Sequence, residues 1–180
     1  MEIDDLYNFN VIDDPRISID GEFIAYTQTI ASKIDNNYRS KIVIYEIDSK
    51  KIILELSEDC KNCFPRWNKN NELIYLNINK ESDKYSIKKI DVYNTNSLVL
   101  FEQDKNISDI KISGCGNYIS FLKYDDDDLN DDDELKQDVL FLERFNWKSD
   151  SLGFTGNSYK HIYIYDLKNC VLKKITNGKY

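Results

Sequence analysis

Two short clusters hold the side chains best suited to chemistry. Cys60-Lys61-Asn62-Cys63 has the knuckle spacing of a zinc site, but a structural zinc needs four ligands and usually a second close pair. The remaining soft donors, Cys115, His161 and Cys170, stand alone in the chain. Gly156-Asn157-Ser158-Tyr159-Lys160 approaches a nucleophile elbow, with lysine in place of the second glycine. A serine hydrolase needs an exposed serine on a strained turn, a base and an orienting acid. Here the sole histidine, His161, lies three residues from Ser158 at the start of a predicted strand. The third cluster is acidic: Asp125 to Asp128 and Asp131 to Glu134 give eight carboxylates in ten positions. As a calcium loop it fails, because in the frame starting at Asp126 the glycine position holds Asp131 and the glutamate position Gln137. Such a run repels itself and stays solvated. No catalytic, cofactor-binding or metal-binding residue is assigned on this reading, and no cofactor is expected.

Composition sets the wider limits. The 180 residues are 41% hydrophobic and 13% aromatic, enough to bury a core. A net charge of −8 repels phosphate backbones and anionic lipid surfaces, which argues against nucleic acid and membrane partners. The opening Met1-Glu2-Ile3-Asp4-Asp5-Leu6 has neither a basic nor an apolar signal region, and no stretch reaches the length of a bilayer span. The expectation is a cytoplasmic protein with four reduced thiols, in which the Asn106-Ile107-Ser108 sequon has no consequence.

The elements that must position any site come from an internal repeat. Asp14-Pro15-Arg16-Ile17-Ser18-Ile19-Asp20-Gly21 matches Phe64-Pro65-Arg66-Trp67-Asn68-Lys69-Asn70-Asn71 at an offset of 50, so the only two prolines are equivalent. A third copy, Ile110-Lys111-Ile112-Ser113-Gly114-Cys115-Gly116, has lost the proline; it sets Ile119 45 residues beyond Ile74. Each copy continues with β-branched and aromatic runs separated by turn residues: 41–48 and 51–56, then 86–93 and 97–101, then 161–167 and 171–176. Repeats of this length with four short strands read as propeller blades. The expected fold is all-β: a partial β-propeller over residues 1–180, with a short helix between Ile3 and Phe9. Blade 1 spans about 12–58, blade 2 about 62–104, and blade 3 about 107–178 with an acidic insertion over about 125–158. Gly21, Asn71 and Gly116 fall where a tight turn needs positive φ. Ile17, Trp67 and Ile112 are expected to pack between blades, and Trp67 and Trp147 to be core residues.

These residues carry a family likeness. Asp5-Leu6-Tyr7, then Asp14 to Gly21 and Phe64-Pro65-Arg66-Trp67-Asn68, resemble the degenerate Ser-Pro-Asp-Gly blade repeats of acylaminoacyl peptidases in the prolyl oligopeptidase family. Arg144-Phe145-Asn146-Trp147 to Phe154, followed by His161 to Asp166 and Ile175-Thr176-Asn177-Gly178, are similar to the run that crosses an inserted loop and ends a blade in those enzymes. The bare repeat is shared with TolB-like propellers. The resemblance implies a propeller that restricts short peptides from reaching a Ser-Asp-His triad in an α/β-hydrolase domain. The chain departs from the family in having three blades and no hydrolase half, and in Ile19 replacing the turn proline. It implies a non-catalytic gating portion of a serine peptidase, meeting peptide only through the missing hydrolase domain. Because three blades do not close a ring, a protein partner or self-association is expected to complete it. The alternative is a stand-alone propeller module that binds a protein or peptide; a hydrolase built around Ser158 and His161 ranks last.

Overall fold

The computed structural model describes residues 3–57, 60–79, 81–82, 84–104, 107–125, 148–149, 153–154 and 159–178. A 3-10 helix, Ile3–Asn8, precedes the first strand. The first sheet orders β1 (Asn10–Ile17), β2 (Phe23–Ser32), β3 (Asn37–Glu46) and β4 (Lys51–Leu56) in sequence. The second repeats the pattern with β5 (Lys61–Trp67), β6 (Glu72–Asn79), β7 (Lys84–Asp91) and β8 (Asn94–Asp104). The third is built from β9 (Ile107–Ile112), β10 (Tyr118–Asp125), β13 (Tyr159–Asp166) and β14 (Val171–Lys174). A two-stranded hairpin, β11 (Lys148–Ser149) with β12 (Gly153–Phe154), lies between β10 and β13. Three four-stranded antiparallel meanders with adjacent first strands are consecutive blades of a propeller, as the repeat predicts. The readings that fall on Arg144 to Trp147, on Ser158 and on most of the acidic run lie outside the described residues.

Two local devices recur in each blade. Gly21, Asn71 and Gly116 have φ of 78°, 57° and 74°, and the amide of each donates to the carbonyl of Ser18, Asn68 or Ser113. The side chains of those three residues accept bonds from the far side of the turn: Ser18 Oγ from Phe23 N, Asn68 Oδ1 from Glu72 N, Ser113 Oγ from Tyr118 N. The second device is a β-bulge in the first strand, where Asp14, Phe64 and Asp109 take φ of 52°, 55° and 50°. The prolines follow this bulge in two copies; Ile110, fully buried, follows it in the third.

Register corrects the alignment after the turn. Ile17 pairs with Ile24, Trp67 with Leu73 and Ile112 with Ile119. Thus Leu73, not Ile74, is the equivalent of Ile119. The second turn closes one residue sooner, with Asn68 N bonding Glu72 O where Ser18 N bonds Phe23 O and Ser113 N bonds Tyr118 O. A one-residue slip matters because it exchanges the faces of a strand. With the register set, Trp67, Leu73 and Tyr75 face blade 1, packing with Phe23, Ala25, Ile42 and Ile44. Ile74, Leu76 and Ile87 face blade 3, packing with Ile119, Phe121, Tyr163 and Tyr165. The core is therefore two layers between three sheets, each anchored by stacked rings: Phe23 on Trp67 at 6.2 Å, Phe121 on Tyr163 at 6.0 Å.

Ile17 does not pack between blades. It is 64% exposed, whereas Trp67 is 8% exposed and Ile112 packs against the second core layer. The physical reason is position: the side that Trp67 turns toward blade 1 is, in blade 1, a side with no blade before it. Ile12 on the same side is also exposed. At the other end, Tyr118 and Ile162 are exposed, although Phe23, which matches Tyr118 in register, is buried.

Candidate functional site at the inner strands

The residues singled out for chemistry are scattered. Cys63 is buried in the layer between blades 2 and 3, and burial pushes its thiol up to about 11; it is a core residue. Cys60 is half-buried, while Cys115 and Cys170 sit exposed in turns of blade 3. Among the described residues no group of three His, Cys, Asp or Glu could hold a metal. His161 is buried on β13, its Nδ1 3.4 Å from Thr176 Oγ1; Ser158 lies outside the described residues.

What the fold does gather is a set of cations that belong to no catalytic motif in the sequence. Arg16, Arg66 and Lys111 each follow the residue after the bulge, one per blade, at the end of the first strand. Arg66 is the most constrained. Its Nε donates to Ile110 O in blade 3 at 2.7 Å, its Nη1 to its neighbour Pro65 O at 2.7 Å, and Nη1 also bonds Asp14 in blade 1. Asp14 holds Arg16 with its other oxygen, and Asp109 pairs with Lys111 at 2.9 Å. The Trp67 indole donates to Arg16 O at 2.9 Å, tying the same strands together. These three cations, with Ile17, Ile19 and Trp67, line a cavity of about 260 Å³ to which all three blades contribute. The repeat alignment already carried the signal, a basic residue at one position in every copy.

A second cleft, about 440 Å³, opens at the other end of the inner strands between blades 1 and 2. Asp13, Thr29, Lys61 and Phe64 line it, and the Thr29 and Ser40 hydroxyls in its wall bond each other at 2.8 Å. Among the described residues, no helix is long and apolar enough to cross a membrane.

Neither a family model nor a curated protein matches the chain. Solved structures do, and they show the fold to be of the propeller type. The acylaminoacyl peptidase of Pyrococcus horikoshii superposes on 97% of this chain with a TM-score of 0.77 at 16% identity. The β-propeller domain of the trilobed protease from Pyrococcus furiosus, described as having an open velcro topology, matches 97% at a TM-score of 0.60 and 17% identity. The tricorn protease matches 91% at 0.62 and 13%. The likeness to acylaminoacyl peptidase seen in the repeat is thus present in three dimensions. The chain spans 26% of that first peptidase, 45% of the trilobed propeller and 18% of tricorn.

Proposed function

We propose that the chain is the non-catalytic amino-terminal propeller portion of an acylaminoacyl-peptidase-like serine peptidase, which filters peptides on their way to a hydrolase domain outside this chain. The observation that carries the reading is the superposition of 97% of the chain on an acylaminoacyl peptidase at a TM-score of 0.77. Two features support it. Among the described residues the sole histidine of the chain, His161, is buried on β13, which fits chemistry supplied by another segment. In addition, Ile17 and Tyr118 leave apolar surface at the two ends of the blade stack, which suits completion of the ring by further blades or a second copy. The four free cysteines suit a reducing, cytoplasmic setting. The test is a peptidase assay with acetyl-amino-acid and peptidyl chromogenic substrates, using the chain alone and mixed with a hydrolase-domain polypeptide of the same type. Activity only in the mixture supports the reading. A folded chain that alters neither rate nor peptide-length preference of the hydrolase overturns it in favour of a stand-alone binding module.

A further inference from the structure

We infer that the cavity at the ends of the inner strands binds a peptide's terminal carboxylate together with the apolar side chain beside it. The inference rests on the proposed function in taking the ligand to be a peptide. Three cations reach this cavity and none of the side chains lining it is a carboxylate; their partners Asp14 and Asp109 bond from outside it. The cluster of three cations and two carboxylates therefore keeps one positive charge in a chain of net charge −8. Arg66 is a fixed charge, immobilised by Asp14 and by the carbonyls of Pro65 and Ile110. Arg16 and Lys111 are more exposed, with side-chain exposures of 46% and 57%, and each is held by a single carboxylate contact. That leaves donors on Arg16 and Lys111 for an incoming anion, and a guanidinium suits the paired oxygens of a carboxylate.

The apolar half of the cavity separates a peptide end from a simple anion. Ile19, in the turn that bonds Asn71 of blade 2, is 69% exposed beside the cations, and the Trp67 ring forms part of the wall. An inorganic anion would leave Ile19 in water; a C-terminal Leu or Phe would cover it while its carboxylate meets Arg16 and Lys111.

The experiment is calorimetric titration of the full chain with an N-acetylated tripeptide ending in leucine, with the same peptide amidated at its C-terminus, and with inorganic phosphate. The site predicts saturable binding of the free acid, binding at least about tenfold weaker for the amide and for phosphate, and weakening in about 0.5 M salt. The double variant Arg16→Gln/Lys111→Gln, checked for an unchanged melting temperature, is expected to lose at least about tenfold in affinity for the acid. Equal binding of acid and amide, phosphate binding as tightly as the acid, an undiminished double variant, or no binding at millimolar peptide each overturns the site. The peptidase assay is independent: complementation without carboxylate binding removes this site and keeps the function, and the reverse result removes the function and keeps the site.

Discussion

Arg66 and Asp14 form an ion pair across the boundary between the first two blades, with side chains only 10% and 15% exposed. Because the same guanidinium donates to Ile110 O, one side chain joins all three sheets near their inner edge. Removing it leaves Asp14 without its partner in blade 2 and a buried carbonyl in blade 3 without a donor. Breaking one side of a largely buried charged pair is far more costly than losing a surface pair. Arg66→Leu is expected to destabilise the chain by about 3 kcal/mol, roughly a 10 °C fall in melting temperature. Lysine, a point charge without the planar fork, is expected to recover less than half of this. Thermal and urea unfolding of the two variants check it.

Trp67 carries two separable contributions. The indole N–H bonds Arg16 O, and the ring stacks on Phe23. Trp67→Phe keeps a ring in place and loses the bond, an expected cost of about 1–2 kcal/mol. Trp67→Ala empties the layer between blades 1 and 2, at about 3–5 kcal/mol. Equal losses in urea unfolding would show that the hydrogen bond, not the packing, governs this position.

The cysteines are expected to divide by reactivity. Cys63 has its thiol raised to about 11 by burial, whereas the bond from Ser113 holds exposed Cys115 below its ordinary value, 9.0. At neutral pH Cys115 therefore carries more thiolate than a free cysteine and Cys63 almost none. Iodoacetamide labelling followed by peptide mass spectrometry should modify Cys115 before Cys63, which reacts only as the fold is unfolded by urea.

Glu72 provides a pH-dependent contribution. Its partial burial works to raise its pKa, but bonds from Lys89 and Asn68 outweigh this and hold the carboxyl below 4.5. A carboxyl whose folded pKa is depressed adds stability above its unfolded pKa and loses it as pH falls through the folded value. Glu72→Gln is expected to cost about 1 kcal/mol at pH 7. The difference from the unmodified chain should shrink as pH drops below 4.5, a trend that unfolding curves at several pH values would reveal.

Much of the blade architecture was legible because turns constrain residue type. Positive φ favours glycine or asparagine, so Gly21, Asn71 and Gly116 mark each copy in the sequence. Register in blade 2 was less legible. Leu73, Ile74, Tyr75 and Leu76 are all buried, because this sheet is covered on both sides, and a continuous apolar run gives no alternation to show which residue faces which neighbour. The exposure of Ile17 was hidden for a related reason: its place in the repeat equals that of Trp67, and the two differ only in whether another sheet stands beside them. At the inner strands the sequence displayed Arg16, Arg66 and Lys111 at matching positions. It did not reveal that Arg66 turns into the contacts between blades while the other two stay at the rim, because that division comes from Asp14 and Ile110 O, 52 and 44 residues away in the chain.

Blade 3 carries its long insertion between its second and third strands, β10 and β13. Asp125 and Tyr159 face each other as the last pair between β10 and β13, so residues 126–158 leave and rejoin the sheet at one point. A loop whose ends are already held together pays little more for each added residue, since the entropy of closure grows only with the logarithm of length. The insertion is thus a mounting socket on the blade: what is written there can lengthen, shorten or change character while the strands beneath keep their register. A change of sequence at that socket is expected to leave the pairing of β10 with β13 intact.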